Sequence, residues 1–477
     1  AADTENNNLA IGEAALGVVN GGGEYNIAIG KSSLDALTSG EYNTVLGYNA
    51  GGSVTTGVRN VIIGSNAADT MQEGSSNVII GDEALGGGLF TASQAVVIGR
   101  NAGHDLTSAT GTTLIGFEAG LNQTTGNGNT ILGHKAVGAG VLTGANNVVI
   151  GKLAGFDMTS GDANVIIGED AGANITTADA NVIIGQGAGE TLTTGTYNIY
   201  IGVNAGNGHD AEGSNIGIGF DALGGSIVAG GENNVALGIY ALDALTAGDY
   251  NNAIGYQTLT NLTTGQHNVA MGRLAGDAVT DETQSVYIGH GAGDDYTGSQ
   301  AVMLGALTRN HSDGNDEANA ICIGYNVNTG RANQVHLGNT SITAIKGQVS
   351  FSTYSDQRIK KDIVDTDLGL EFVNKLKPKK FKRKDPEEYA DLFGEANKTP
   401  IKDDEKENVF DGLIAQEVEA VCNELGVSFS GHEVSTSQGN KQSIQYETLT
   451  IPLIKAVQEL SATVTTLQQE INTLKGE

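Results

Sequence analysis

Asn164-Val165-Ile166-Ile167-Gly168 is followed 17 residues later by Asn181-Val182-Ile183-Ile184-Gly185. The same five residues stand at Asn60–Gly64 and again at Asn77–Gly81. Beyond these, a short apolar run ending in Gly recurs 20 times between Gly12 and Gly338, at a mean spacing of about 17 residues. The residue before the Gly is Ile, Leu or Met in all 20 units, and the residue two earlier is usually Val or Ile. Alternate residues of a strand share one face. This reading makes the residue before each Gly the core position, so Ile167 points inward and Ile166 outward.

A 17-residue unit cannot bury its own apolar face, but stacked neighbours can. The repeat therefore predicts a β-solenoid over residues 1–340, each unit one coil of two short strands and two tight turns. At about 4.8 Å per coil, 20 coils make a stack about 95 Å long. Asn stands four before the Gly in 14 of the 20 units, and Ala three after it in 15. The Asn suits a stacked amide ladder or a turn cap. Gly supplies the positive φ of the turns. Pro is absent because every coil donates ladder hydrogen bonds.

Composition divides the chain near residue 350. Of 70 Gly, 63 precede Ser355, and all four Pro follow it. Residues 1–354 carry 9 Lys+Arg against 32 Asp+Glu, and residues 355–477 carry 16 against 23, for nets of −23 and −7. So acidic a chain is a poor partner for nucleic acid and for anionic membrane surfaces. No 18-residue apolar run and no signal peptide are visible, so no membrane insertion is expected. Cys322 and Cys422 fall in different modules and read as two free, buried thiols. The eight His are scattered without metal-ligand spacing, so neither metal nor cofactor is expected. Asp313-Gly314-Asn315-Asp316-Glu317 lacks the twelve-residue calcium loop and reads as a solvated turn.

The repeat resembles the heads of trimeric autotransporter adhesins, whose units read Asn-x-x-Ala-Ile-Gly. It is also similar to the repeats ahead of chaperone domains in bacteriophage tail fibres. The resemblance implies a left-handed parallel β-roll packed three to a fibre.

After a neck at 341–354 the chain reads Tyr354-Ser355-Asp356-Gln357-Arg358-Ile359-Lys360-Lys361-Asp362-Ile363. Leu376-Lys377-Pro378-Lys379-Lys380-Phe381, Gly412-Leu413-Ile414-Ala415-Gln416-Glu417-Val418 and Tyr446-Glu447-Thr448-Leu449 follow in that order. Across residues 355–477 these four segments resemble the endosialidase-type intramolecular chaperone of phage tailspikes and fibres, a small α+β domain. The resemblance implies autoproteolysis between Tyr354 and Ser355, with Ser355 as nucleophile and Lys360 as general base.

That assignment is chemically sensible. A serine hydroxyl attacks only when a base takes its proton. Burial turns lysine into such a base by disfavouring its charged form. Five residues exceed one helical turn, so a bend or strand must bring the two together. Asp356 and Arg358 read as an ion pair holding that bend. Glu417 either orients the dyad or makes an interchain salt bridge. The basic run Lys375–Lys384, with Asp385, Glu387 and Glu388 adjacent, reads as a solvated strand edge.

Leu453, Val457, Leu460, Val464, Leu467, Ile471 and Leu474 are spaced 4-3-4-3-4-3. This is an a/d seam and predicts a coiled coil over residues 450–475. The family resemblance selects three strands. The reading is a homotrimeric phage tail fibre or receptor-binding appendage whose one enzymatic act is its own cleavage, in cis. The alternatives are a polysaccharide-depolymerising tailspike and a cellular surface adhesin with the same chaperone. The expected setting is the extracellular virion tail, after assembly in the host cytoplasm. The expected partners are two further copies of the chain, a baseplate or tail protein, and a host receptor of glycan or outer-membrane character. Host binding is expected within residues 306–354, at the polar segment Thr308–Asn319 with Arg309, His311, Asp313 and Asp316.

Overall fold

A computed structural model describes residues 7–18, 23–225, 231–294, 298–310, 318–329, 332–339, 341–342, 344–348, 355–385, 388–389, 406–435 and 440–476. They fall into two compact units, one through Arg309 and one from Cys322 onward. The break lies where the 17-residue spacing fails, with 19 and then 14 residues separating Gly305, Gly324 and Gly338.

The first unit is mostly β, a parallel β-solenoid. Eighteen three-residue strands, from Leu9–Ile11 to Val302–Leu304, stack one per coil. Each pairs in parallel and in register with the strands of the coils before and after it. Val165, Ile166 and Ile167, for example, face Val182, Ile183 and Ile184 on one side and Val148, Val149 and Ile150 on the other.

The middle residue of each strand fills the interior. Ile62, Ile79, Val97, Leu114, Ile131, Val149, Ile166 and Ile183 are all fully buried, while Ile167 and its equivalents are half-buried on the outer face. The strand phase expected from the sequence is therefore inverted. Both faces of these strands are apolar, so a period of two cannot say which is inside. The uniform residue before the Gly lies outside. The variable middle residue, including Tyr200, Gly217 and Ala236, trades volume with its neighbours in the lumen.

The two-strand coil is also corrected. Each coil has one strand, and its return side is built from turns. Asp170 (φ 56°) and Gly172 (φ 51°) take left-handed conformations there. The backbone still reaches the next coil, through Gly155 N–H to Ala171 C=O at 2.9 Å and Gly172 N–H to Ala188 C=O at 2.8 Å. The recurrent Ala171 is buried against this bend, with Ile175 and Ala178 closing the lumen.

The coil-ending Gly is constrained twice. Gly168 has φ +143°, a conformation reserved for Gly, and a Cβ there would collide with the Gly185 carbonyl of the next coil.

The Asn column forms the amide ladder. Asn164 donates its backbone N–H (2.9 Å) and Nδ2 (3.1 Å) to Asn147 Oδ1, and Nδ2 also donates to the Ala178 carbonyl at 2.7 Å. Its own Oδ1 accepts from the backbone and side chain of Asn181 at 3.0 and 3.1 Å. Every bonding position of a buried amide is thus used, which removes the penalty of burying it. Where Thr112 replaces Asn, Gln123 supplies the amide instead, donating to the Gly126 carbonyl at 2.7 Å.

The second unit contains a small α+β region. Helix α1 (Leu370–Lys375) precedes a strand pair, Lys379–Phe381 with Phe410–Gly412. Helix α2 (Ala415–Leu425) leads to a second antiparallel pair, His432–Ser435 with Lys441–Ile444, and helix α3 (Thr450–Lys475) ends the unit. Leu368, Phe372, Val418, Val421, Cys422 and Phe429 form its core.

Only the first turns of α3 bury anything, at Pro452 and Ala456. From Leu453 to Leu474 the seven seam residues are between 44% and 88% exposed in the single chain. Cys322 and Cys422 are both free and buried.

Candidate functional site

The segment following Ser355 folds as one turn of 3₁₀ helix, Gln357–Ile359. Asp356 caps it, accepting the Arg358 backbone N–H at 2.9 Å. The same carboxylate grips the Arg358 guanidinium, with Nε at 3.0 and 3.1 Å and Nη2 at 2.6 Å. These hydrogen bonds hold the Asp356 carboxyl below the usual carboxylate range and raise Arg358. The turn closes with Lys360 N–H on the Gln357 carbonyl at 3.1 Å. It thereby carries Lys360 back over the residue at which the segment starts. Lys360 Nζ lies 2.7 Å from Ser355 Oγ. Both side chains are exposed in the single chain. Tyr354 lies outside the described residues.

Glu417 stands in the first turn of α2, away from this pair in its bonding. Its ion-pair partner is Lys379 at 3.8 Å, and its Oε2 is buried without a partner. The basic run is matched by acids. Lys375 meets Glu424 at 2.6 Å, Lys382 meets Glu407, and Lys406 reaches back to Asp385 at 3.2 Å.

The other segments singled out in the sequence are fasteners. The Tyr446 hydroxyl accepts the Leu413 N–H at 2.7 Å. Gly412 leaves it room, since a Cβ there would lie 2.5 Å from that hydroxyl and 3.0 Å from Phe381. Gly431 makes the same space for Thr448. Glu459 of α3 accepts the Leu370 N–H at 2.7 Å, capping α1 beside Gly369. The sequence reading missed this capping and the two close approaches. Its available signal was the placement of Gly369, Gly412 and Gly431, three of only seven Gly after Ser355.

Residues 355–427 match the family model described as chaperone of endosialidase. The match begins at Ser355 and contains Lys360 and Glu417. The Tyr446 segment and α3 lie beyond it. No curated protein and no solved structure matches the chain. A β-solenoid followed by a chaperone of this type fits a tail-fibre or tailspike-like protein.

Among the described residues, no three His, Cys, Asp or Glu side chains stand together as a metal-ligand set. No described helix is long and apolar enough to cross a membrane. Of the segment expected to bind the host, Arg309 and Asn310 form a two-residue strand. His311, Asp313 and Asp316 lie outside the described residues.

Proposed function

We propose that the chain is a phage tail-fibre or receptor-binding appendage protein, assembled as a homotrimer by residues 355–477. That unit then frees itself by cutting between Tyr354 and Ser355. The observation that carries the reading is the 2.7 Å approach of Lys360 Nζ to Ser355 Oγ, at the first residue of the chaperone match.

Neutral Lys360 takes the Ser355 hydroxyl proton, and Oγ attacks the Tyr354 carbonyl carbon. The C–N bond breaks as the Ser355 nitrogen accepts a proton and becomes an amine. Tyr354 is left as an ester on Oγ. Water then hydrolyses that ester, giving a Tyr354 carboxylate and restoring the serine hydroxyl.

Lysine serves as a base only where its charged form is disfavoured by desolvation. Lys360 is exposed in one chain, so neighbouring copies supply the cover, and cutting follows assembly. Two surfaces support association between copies. One is the exposed a/d seam of α3, and the other is the half-buried Val/Ile column on the outer face of the solenoid strands. The segment 306–354 carries host binding in this reading, and a baseplate or tail protein holds the opposite end in the virion.

Producing residues 1–354 with and without residues 355–477, followed by mass measurement in solution, tests the chaperone role. Folded trimer is expected only from the longer chain. Equal trimer yields from both would reject it.

A further inference from the structure

The strand faces of the solenoid are nearly the same from coil to coil, as Val-Ile-Ile at Val61–Ile63, Val78–Ile80, Val165–Ile167 and Val182–Ile184 shows. Their outer side chains, mostly Val and Ile, form a ribbon about 10 Å wide and about 80 Å long that is half-buried in the middle coils and exposed toward both ends. An apolar strip of that size on a surface marks an association site. A strip so uniform, however, fits a partner equally well one coil up or down. Association through it alone leaves the register open.

What differs between coils is the pair of corner residues flanking each strand, five before the Gly and one after it. These two positions per unit hold five of the nine Lys+Arg of residues 1–354, namely Lys31, Arg59, Arg100, Lys152 and Arg273. Several of their neighbours are aromatic, and within one chain they stack into ridges. Arg100 lies 4.6 Å over the Phe117 ring, and Phe117 stacks on His134 at 5.1 Å, all after the Gly. On the same three coils the leading corner holds Gln94, Gly111 and Gly128. A Cβ on Gly111 would meet nothing within 4 Å, whereas one on Gly128 would lie 3.0 Å from Asn146 Oδ1, so the open notch of this corner is on the Phe117 coil. Elsewhere the leading corner is the bulky one. Tyr25 and Tyr42 stack at 5.0 Å, and the trailing corner of the first of these coils is the cation Lys31.

Three identical chains around one axis meet heterologously, so the trailing corner of each strand faces the leading corner of its neighbour. We infer that the two corner columns are the seams between copies of this chain. Ridge against notch near Phe117, and cation against ring near Tyr25, fix which coil meets which. The inference rests on the trimer proposed above. It assigns register to the corners and adhesion to the ribbon, which separates specificity from affinity.

Paired cysteines test it. Ser76 and Asp82 are exposed corners of one coil. They are six positions apart along extended backbone, about 20 Å, too far for a bridge within one chain. The native Cys322 and Cys422 are buried and stay out of the reaction. The doubly substituted Ser76→Cys/Asp82→Cys protein, purified whole and mildly oxidised, is expected to run as covalent trimer on a denaturing gel. Ser76→Cys alone is expected to give no cross-link, and the offset pair Ser65→Cys/Ser76→Cys, which joins neighbouring coils and leaves the Arg100 ridge intact, at least tenfold less.

Mass in solution before oxidation separates the two ideas. A protein that is not trimeric removes the underlying reading. A trimer overturns the seams if the matched pair fails to cross-link, if Ser76→Cys cross-links alone, or if the offset pair cross-links better. The coil ending in Gly151 provides a second matched pair, Asn146→Cys/Lys152→Cys, should the first variant fold poorly.

Discussion

The solenoid and the chaperone-like unit reach stability by opposite means. In the solenoid one set of contacts is repeated, and each coil finds all its partners one turn away, as Asn164 does with Asn147 and Asn181. In the C-terminal unit nothing repeats. Glu459 caps a helix that begins 89 residues earlier, and Tyr446 closes on Leu413 across 33. Near-identical coils hold each other firmly but specify their alignment weakly. Unique long-range contacts define one arrangement without ambiguity. In the trimer proposed above, a non-repeating unit would start the alignment that the repeat leaves open.

The contrast is sharpest inside a coil. Ile166→Asn removes a fully buried apolar side chain, at about 2–5 kcal/mol. The amide it leaves unpaired adds about 1–3 kcal/mol. Ile167→Asn sits on the half-buried outer face and should spare the folding of the coil while weakening association. Thermal unfolding with mass measurement separates the two effects. Equal loss of folded chain in both variants would break the assigned strand phase.

Gly168→Ala is expected to come next, at about 1–3 kcal/mol from backbone strain alone, because the obstacle is a carbonyl fixed by the next coil. Melting temperature reports it.

Acid should weaken the coil that holds His209. His209 takes a lumen place where other coils have Leu192 or Leu245. It is fully buried beside Tyr200, and burial lowers it to about 3. The unfolded chain binds this proton below about 6.5 and the folded chain does not, so stability is complete above that pH. It then falls by about 1.4 kcal/mol per pH unit toward pH 3. His209→Leu should flatten this part of a stability–pH curve. An unchanged slope in the variant would assign it elsewhere.

The smallest effect belongs to the C-terminal unit. Gly369→Ala meets only the end of the Glu459 side chain, which can swing aside at the loss of its cap on the Leu370 N–H, so a cost of about 0.5–1 kcal/mol is expected. A loss as large as that of Gly168→Ala would erase the distinction between rigid and yielding neighbours.

Much of this was legible beforehand because repetition amplifies weak signals. One Asn-Val-Ile-Ile-Gly says little, whereas 20 Gly-ended runs at a mean spacing of about 17 residues imply stacked coils. The Asn column was open between ladder and cap, and its burial at Asn147, Asn164 and Asn181 selects the ladder. The strand phase was not legible, since Val165, Ile166 and Ile167 are apolar on both faces. Nor was the turn-built return side, because left-handed residues such as Asp170 and Leu223 carry no sequence mark of their conformation. At the candidate site, the five-residue spacing demanded a bend between Ser355 and Lys360. The 3₁₀ turn capped by Asp356 is that bend. The partner of Glu417 was not readable, because Lys379 reaches it only through the folding of a strand against a helix.

The proposed self-cleavage stands or falls on the product of expression. Intact mass and N-terminal sequencing of the purified protein should find a 123-residue fragment beginning at Ser355, counted to residue 477. Ser355→Ala and Lys360→Ala should each remain full-length and still form trimers. A fragment beginning elsewhere, or undiminished cutting in Ser355→Ala, would contradict the account.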